Sequence, residues 1–197
     1  MSREDISDYV IHFTKGEDDT DAFERLRTIL YEMRLVGSCR NIRGNHTCVC
    51  FSEAPLAALE NGLLNSSAYS CYSPFGVLFN KSSIFQQGAR PVIYQPYNEY
   101  EQLPESHSWR HVTYNPASNP PVDFTWEREW RILANEFHFD GSNAAVVVPN
   151  GIWADRLIRE HSQVERFKVL EYMQIMDENI ALSYHEEFEW FIFTLRA

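Results

Sequence analysis

No stretch of the 197 residues stays apolar long enough to span a bilayer, and no charged-then-apolar leader opens the chain. A cytosolic (cytoplasmic) protein with no membrane partner is the expectation. Basic residues are outnumbered, 17 Lys and Arg against 28 Asp and Glu, and the formal charge of −11 repels polyanions at long range. Tight nucleic-acid binding through the whole surface is thereby disfavoured, though a local basic groove is not. The few cysteines, Cys39, Cys48, Cys50 and Cys71, lack the paired spacing of structural zinc. Buried free thiols and no metal are expected, a site built from Cys48, Cys50 and His46 being the lesser alternative. Neither G-x-G-x-x-G nor the Walker lysine pattern occurs, so any phosphate is held another way. Internal repeats and low-complexity segments are missing too.

What is present is a chain 44% hydrophobic and 14% aromatic, long enough for one domain, residues 1-197, with a substantial core. Tyr9 to Thr14 reads as a first strand, ended by Gly16 and the acids Glu17, Asp18 and Asp19. Phe23, Leu26, Leu30 and Met33 recur at helical spacing behind a capping box of Asp21 and Glu24, with Gly37 as the stop. Thr47 to Phe51 is a β-rich strand, after which Pro55 starts a short helix carrying Leu56, Leu59 and Leu63. Phe75 to Phe79 and Pro91 to Tyr94 read as two strands that pair across a loop around Gly88. From Gln95 to Asp123 the prolines Pro96, Pro104, Pro116, Pro120 and Pro121 predict a long irregular excursion. Strands follow at Glu129 to Ala134 and Ala144 to Pro149, with Asp140 and Gly141 in the turn between them. An amphipathic helix from Trp153 to about Gln163 and a strand at Phe188 to Leu195, set beside an earlier strand, complete an α+β order with a mainly antiparallel sheet.

Chemistry concentrates at Phe124 to Leu133, where Glu127, Arg128, Glu129 and Arg131 sit among Phe124, Trp126 and Trp130. Aromatic walls lower the local dielectric, so these carboxylates form either a structural ion-pair strip or a reactive pair. If the strand starts early enough, Glu127 and Glu129 face the same side. His12, taken alone on its strand, reads more readily as a hydrogen-bonded core residue than as a catalyst. Arg25, Arg27, Arg34, Arg40 and Arg43 fall close together, offering either a positive edge or a solvated helix face.

Taken in order, His12-Phe13-Thr14, Cys50-Phe51-Ser52-Glu53-Ala54-Pro55-Leu56 and Arg128-Glu129-Trp130-Arg131-Ile132 resemble the layout of the DarT-type nucleic-acid ADP-ribosyltransferases. That family carries a His-x-Thr on its first strand and a catalytic Glu before an aromatic on a late strand. Tyr72-Ser73-Pro74-Phe75-Gly76-Val77 and Arg90-Pro91-Val92-Ile93-Tyr94 extend a second resemblance, to the AbiGi abortive-infection family. Both cover about the first three quarters of the chain. The DarT pattern has an arginine at the strand exit where this chain has Ser52-Glu53; Arg40, Arg43 and Arg90 are the nearest replacements.

The resemblance implies a mainly antiparallel split sheet with flanking helices, ADP-ribosyltransferase-like, using NAD as co-substrate. Cleaving the nicotinamide–ribose bond develops positive charge on the ribose, so a facing carboxylate lowers the barrier. Glu129 is expected in that role, with Glu127 as acceptor base or positioner and His12 on a ribose hydroxyl or the carboxamide. Phe13, Thr14, Ser52 and Arg43 are expected around the cofactor, and Tyr69 or Tyr72 either stacks on nicotinamide or belongs to the core. A toxin that modifies nucleic acid, RNA or DNA, in bacterial anti-phage defence is the implied function. A non-catalytic module or antitoxin-type partner of an abortive-infection system, and a plain NAD glycohydrolase, are the alternatives.

Overall fold

The computed structural model describes residues 6–53 and 72–195. Strand β1 (Tyr9–Phe13) leads into α1 (Asp19–Glu32), and β2 (Arg34–Val36) and β3 (Cys48–Ser52) follow. Next come β4 (Gly76–Asn80), α2 (Lys81–Gln86), β5 (Arg90–Pro91), β6 (Ile93–Gln95), α3 (Glu105–Ser108) and β7 (His111–Thr113). The chain continues through β8 (Glu129–Leu133), β9 (Glu136–His138), β10 (Ala144–Val148), α4 (Gly151–Tyr172), α5 (Glu178–Leu182) and β11 (Phe191–Thr194).

Seven strands form one open sheet in the order β11-β10-β4-β1-β3-β8-β5, antiparallel except for β10 with β11. Its seam lies at β1 and β3. Those strands share a single register pair, Ile11 with Ser52, whereas β1 with β4 and β3 with β8 are paired along their lengths. The mainly antiparallel sheet with flanking helices is as expected, and its seven strands form one open sheet rather than two halves. Two short two-stranded pairs, β2 with β9 and β6 with β7, stand beside it.

Alternation along the strands separates two apolar faces. Val10, Val49, Phe51, Val77, Phe79, Val146 and Val148 meet Phe23, Leu26 and Leu30 of α1, Ile84 of α2 and Leu157 of α4. Phe23, Phe75 and Trp153 pack ring against ring at the centre of that layer. The other face carries Ile11, Phe13, Leu78, Val147 and Leu195, with Ile42, Cys48 and Trp109 as a separate cluster near β3. A closed ring of four side chains ties α1 to α4: Glu24 and Glu160 each pair with both Arg27 and Arg156, at 2.6–3.3 Å.

Thr14 fixes how β1 leaves the sheet. Its buried hydroxyl meets the carbonyls of Ala22 and Phe75, each at 3.2 Å, joining the strand end to the first turn of α1 and the approach to β4. Thr14→Val keeps the shape and removes the donor, so a loss of about 1–2 kcal/mol is expected. A fall in the urea midpoint at unchanged slope measures it, and an unmoved midpoint refutes it.

Several expectations are corrected. Asp18, not Asp21, caps α1 by accepting from the Asp21 amide at 2.8 Å, because the Asp21 carboxylate is drawn to Arg25. The helix stops at Met33, which turns left-handed, and Gly37 serves another need: a Cβ there would lie 2.2 Å from the Ala134 carbonyl. The segments at 75–79 and 91–94 do not pair. Asn80 caps α2 between them, β4 inserts between β1 and β10, and the second segment divides between β5 and β6. The proline-rich excursion holds a 3-10 helix at Tyr97–Gln102, then α3 and β7, with Pro96 and Pro104 just before each helical turn. The helix expected to end near Gln163 runs on to Tyr172, because its buried stripe continues through the charged Glu165, held by Lys168 and the Glu186 amide. The C-terminal strand is shorter than expected and forms the sheet edge. The expected Pro55 helix and Tyr69 lie outside the described residues.

Candidate active site

Glu127 closes a 3-10 turn, Thr125–Glu127, and Arg128 then adopts a left-handed conformation with φ 44° before β8 begins at Glu129. The strand therefore starts too late for alternation to align the two carboxylates. The left-handed residue folds Glu127 back beside Glu129 instead, where Ser52 Oγ donates to the Glu127 carbonyl at 2.7 Å and Ser52 faces Glu129 across β3 and β8.

The two carboxylates then meet unlike surroundings. Glu129 Oε1 and Oε2 accept from Arg131 Nε at 2.8 Å and Nη2 at 3.2 Å, a two-pronged pair whose side chains are 13% and 5% exposed. Arg131 spends its remaining fork on the carbonyls of Trp109 and His111, each at 3.0 Å, so the buried cation is held on three sides. The Glu129 amide donates to the Tyr94 hydroxyl at 3.1 Å, which itself donates to the Phe124 carbonyl. Burial, with the charge of Glu129, pushes the Glu127 carboxyl up to about 7; the Tyr72 hydroxyl at 3.1 Å and the charge of Lys15 oppose it. One carboxyl is thus clamped by a cation while its neighbour exchanges a proton near neutrality. That contrast suits acid–base chemistry.

His12 stands at the seam of the sheet, half-buried, with its ring edge-on to Phe51 at 6.2 Å. Nδ1 lies 2.8 Å from the Cys50 carbonyl, which can only accept, so Nδ1 carries the proton and Nε2 is left as an acceptor. Burial and the nearby Lys15 lower its pKa against the carbonyl's pull, which keeps the imidazole neutral. Cys50 connects the parts: its carbonyl holds His12, and its thiol faces Glu129 and is pushed up by burial and that charge.

The structure gathers Glu127, Glu129, Ser52 and Tyr72, with His12 joined through Cys50. Phe13 is buried in the second apolar face with its ring 5.8 Å from Tyr72, and the Thr14 hydroxyl is committed to Ala22 and Phe75, so both brace the site from behind. Arg43, expected at the cofactor, is engaged elsewhere. Its guanidinium lies 4.0 Å from both the Tyr97 and Tyr100 rings and pairs with Glu101 at 2.9 Å, pinning the Tyr97–Gln102 turn.

Of the two readings of the arginine series, the solvated face describes it better than the positive edge. Arg25 pairs with Asp21, Arg27 with Glu24 and Glu160, and Arg34 with Glu32 and Glu136, so carboxylates from neighbouring elements neutralise most of it. His46 binds Ser108 at 2.9 Å rather than joining Cys48 and Cys50, and burial pushes the Cys48 thiol up to about 11. A depression lined by Asn45, His46, Thr47, Leu133, Ala134 and Asn135 lies at the far end of β8, about 13 Å along the strand from Glu129, and takes no part in this grouping.

Lys15 and Tyr94 were given no role from the sequence, whereas Arg131 was read there as a member of the ion-pair strip. Its signal was its position two residues from Glu129 on the same strand face. Among the described residues no helix is long and apolar enough to cross a membrane, and no group of three or more His, Cys, Asp or Glu side chains is arranged to hold a metal ion. No family model matches the chain, and neither a curated protein nor a solved structure is found to be similar to it.

Proposed function

We propose that the chain is an NAD-dependent mono-ADP-ribosyltransferase with an ADP-ribosyltransferase-like fold, a cytoplasmic toxin of anti-phage defence that modifies nucleic acid. One observation carries the reading: Glu127 and Glu129, two residues apart, are held in opposite electrostatic states beside a sheet seam occupied by His12. Glu129, fixed by Arg131, faces the ribose as its bond to nicotinamide breaks and stabilises the positive charge that develops. The bonding pair leaves with nicotinamide, the acceptor attacks the ribose carbon, and Glu127 takes the acceptor's proton. His12, neutral, offers Nε2 to a ribose hydroxyl.

Incubation with NAD and nucleic acid should release nicotinamide and add ADP-ribose mass to RNA or DNA. Glu129→Gln, which keeps the side-chain shape beside Arg131, should reduce both by about 10²–10³-fold, and His12→Ala should reduce them less. Full activity in Glu129→Gln refutes the assignment. The neutralised Arg25 to Arg43 face favours one second reading, a glycohydrolase in which water replaces the nucleic acid. Nicotinamide release with no labelled acceptor would select it.

A further inference from the structure

At the outer edge of the sheet two arginines are held by backbone carbonyls rather than by carboxylates. Arg90 Nη1 is fixed by the carbonyls of Phe85 at 2.8 Å and Ala89 at 2.7 Å, and Arg110 Nε by the carbonyl of Pro91 at 2.9 Å. The anchoring carbonyls of Ala89 and Pro91 are two residues apart, about 7 Å along an extended chain, so the guanidinium groups bracket one short strand. Among the described residues neither has a carboxylate within ion-pair distance, as is also true of Arg40, Arg159 and Arg166, whereas Arg25, Arg27, Arg34, Arg43 and Arg156 are all paired. Burial and the charge of Arg90 both lower the pKa of Arg110, so the groups repel each other without a counter-charge. Arg90 also stands directly across from Arg131 in register, whose own charge is taken up by Glu129.

An aromatic platform adjoins them. Arg90 lies 4.0 Å from the Phe85 ring, which is 47% exposed and meets Trp130 edge-on at 6.4 Å. Positive charge fixed by backbone carbonyls and set on an exposed ring is the combination that binds single strands, with phosphates on the guanidinium groups and a base stacked on the ring or the guanidinium plane. The edge adjoins β8, since the Val92 amide, two residues beyond Arg90, donates to the Glu129 carbonyl at 3.0 Å.

We infer that Arg90, Arg110 and Phe85 form a docking surface for single-stranded nucleic acid, with its backbone along β5. The choice of occupant rests on the transferase reading above, and the surface itself does not. Fluorescence anisotropy of a short labelled oligothymidylate and oligouridylate, titrated without NAD over a range of salt, tests it. The wild type should bind at least one probe. Arg90→Ala/Arg110→Ala should lower the slope of log affinity against log salt by about 1.4, the value for two single-strand phosphate contacts. Phe85→Ala should weaken binding about fivefold or more at unchanged slope. Arg90→Lys/Arg110→Lys, which keeps the charge, should retain the slope and so distinguishes lost contacts from lost folding. Binding by the alanine pair equal to wild type, a wild type that binds neither probe, or displacement of the probe by polyglutamate as readily as by unlabelled oligonucleotide overturns the proposal. Nicotinamide release by the wild type is measured separately. Release without strand binding removes the docking surface and leaves the enzyme, while arginine-dependent binding without release removes the enzyme and leaves the surface.

Discussion

Glu127→Gln is expected to lose transfer to nucleic acid while making the folded chain more stable above neutral pH, two effects of opposite sign from one carboxyl. An amide cannot take the acceptor's proton, so transfer should fall about 10²–10⁴-fold, and the rise in rate as pH passes about 7 should disappear with it. The stability effect follows from the same shift. Burial and the charge of Glu129 raise the folded value to about 7 from an ordinary 4.5, so between those values the folded chain holds a proton that the unfolded chain has released. Stability contributed by that proton is present at low pH and is lost as pH rises through the window, by about 2–3 kcal/mol once the solvent-facing part of the side chain is allowed for. Glutamine has no such window. Urea unfolding should show the variant ahead of wild type well above pH 7 and level with it below pH 4.5. A variant that is less stable at both ends would mean that the Tyr72 contact, not the carboxyl's charge, dominates the site.

Arg131→Ala should be the most damaging single change to the fold among the residues around the carboxylates. Its guanidinium is the two-pronged partner of Glu129 and the donor to the carbonyls of Trp109 and His111, all within a layer that is almost closed to solvent. Removing it leaves a buried carboxylate unpaired and two carbonyls unmet, a loss of about 3–5 kcal/mol. Adding Glu129→Leu to Arg131→Met should recover part of that loss, because the uncompensated charge goes while the two carbonyls still lack a donor. Denaturant midpoints for the single and double variants measure both terms. A single variant within about 1 kcal/mol of wild type would show that the carboxylate finds another partner.

These expectations rest on features of unequal visibility in the sequence. The strands at Tyr9 to Phe13, Cys48 to Ser52, Glu129 to Leu133 and Ala144 to Val148 were legible because β-branched, aromatic and small apolar residues alternate or run together there. Helix α1 was legible from Phe23, Leu26 and Leu30 at helical spacing. The second half of α4 was not, since a buried glutamate looks like a solvated one until Lys168 and the Glu186 amide are placed around it. The closeness of Glu127 to Glu129 depends on a left-handed Arg128, a conformation that a residue with a Cβ seldom takes and that no pattern announces. The fate of the Arg25 to Arg43 series was hidden for a related reason: Glu136 and Glu160, which reach Arg34 and Arg27, come from the second half of the chain.

The order of the strands also governs when the protein becomes itself during synthesis. Strand β1, at the middle of the sheet, has both neighbours once β4 has emerged, but β3 waits for β8, and β4 waits for β10. The Glu24 to Arg156 contact in the ring of charges joins residues 132 apart, so α1 is locked only after most of the chain has left the ribosome. Such long-range closure makes folding slow and concentrates it at the end of translation. A truncated or stalled chain would carry Glu127 and Glu129 without the strands and helix that complete their setting, and the two carboxyls would reach their contrasting states only once those elements had joined the sheet.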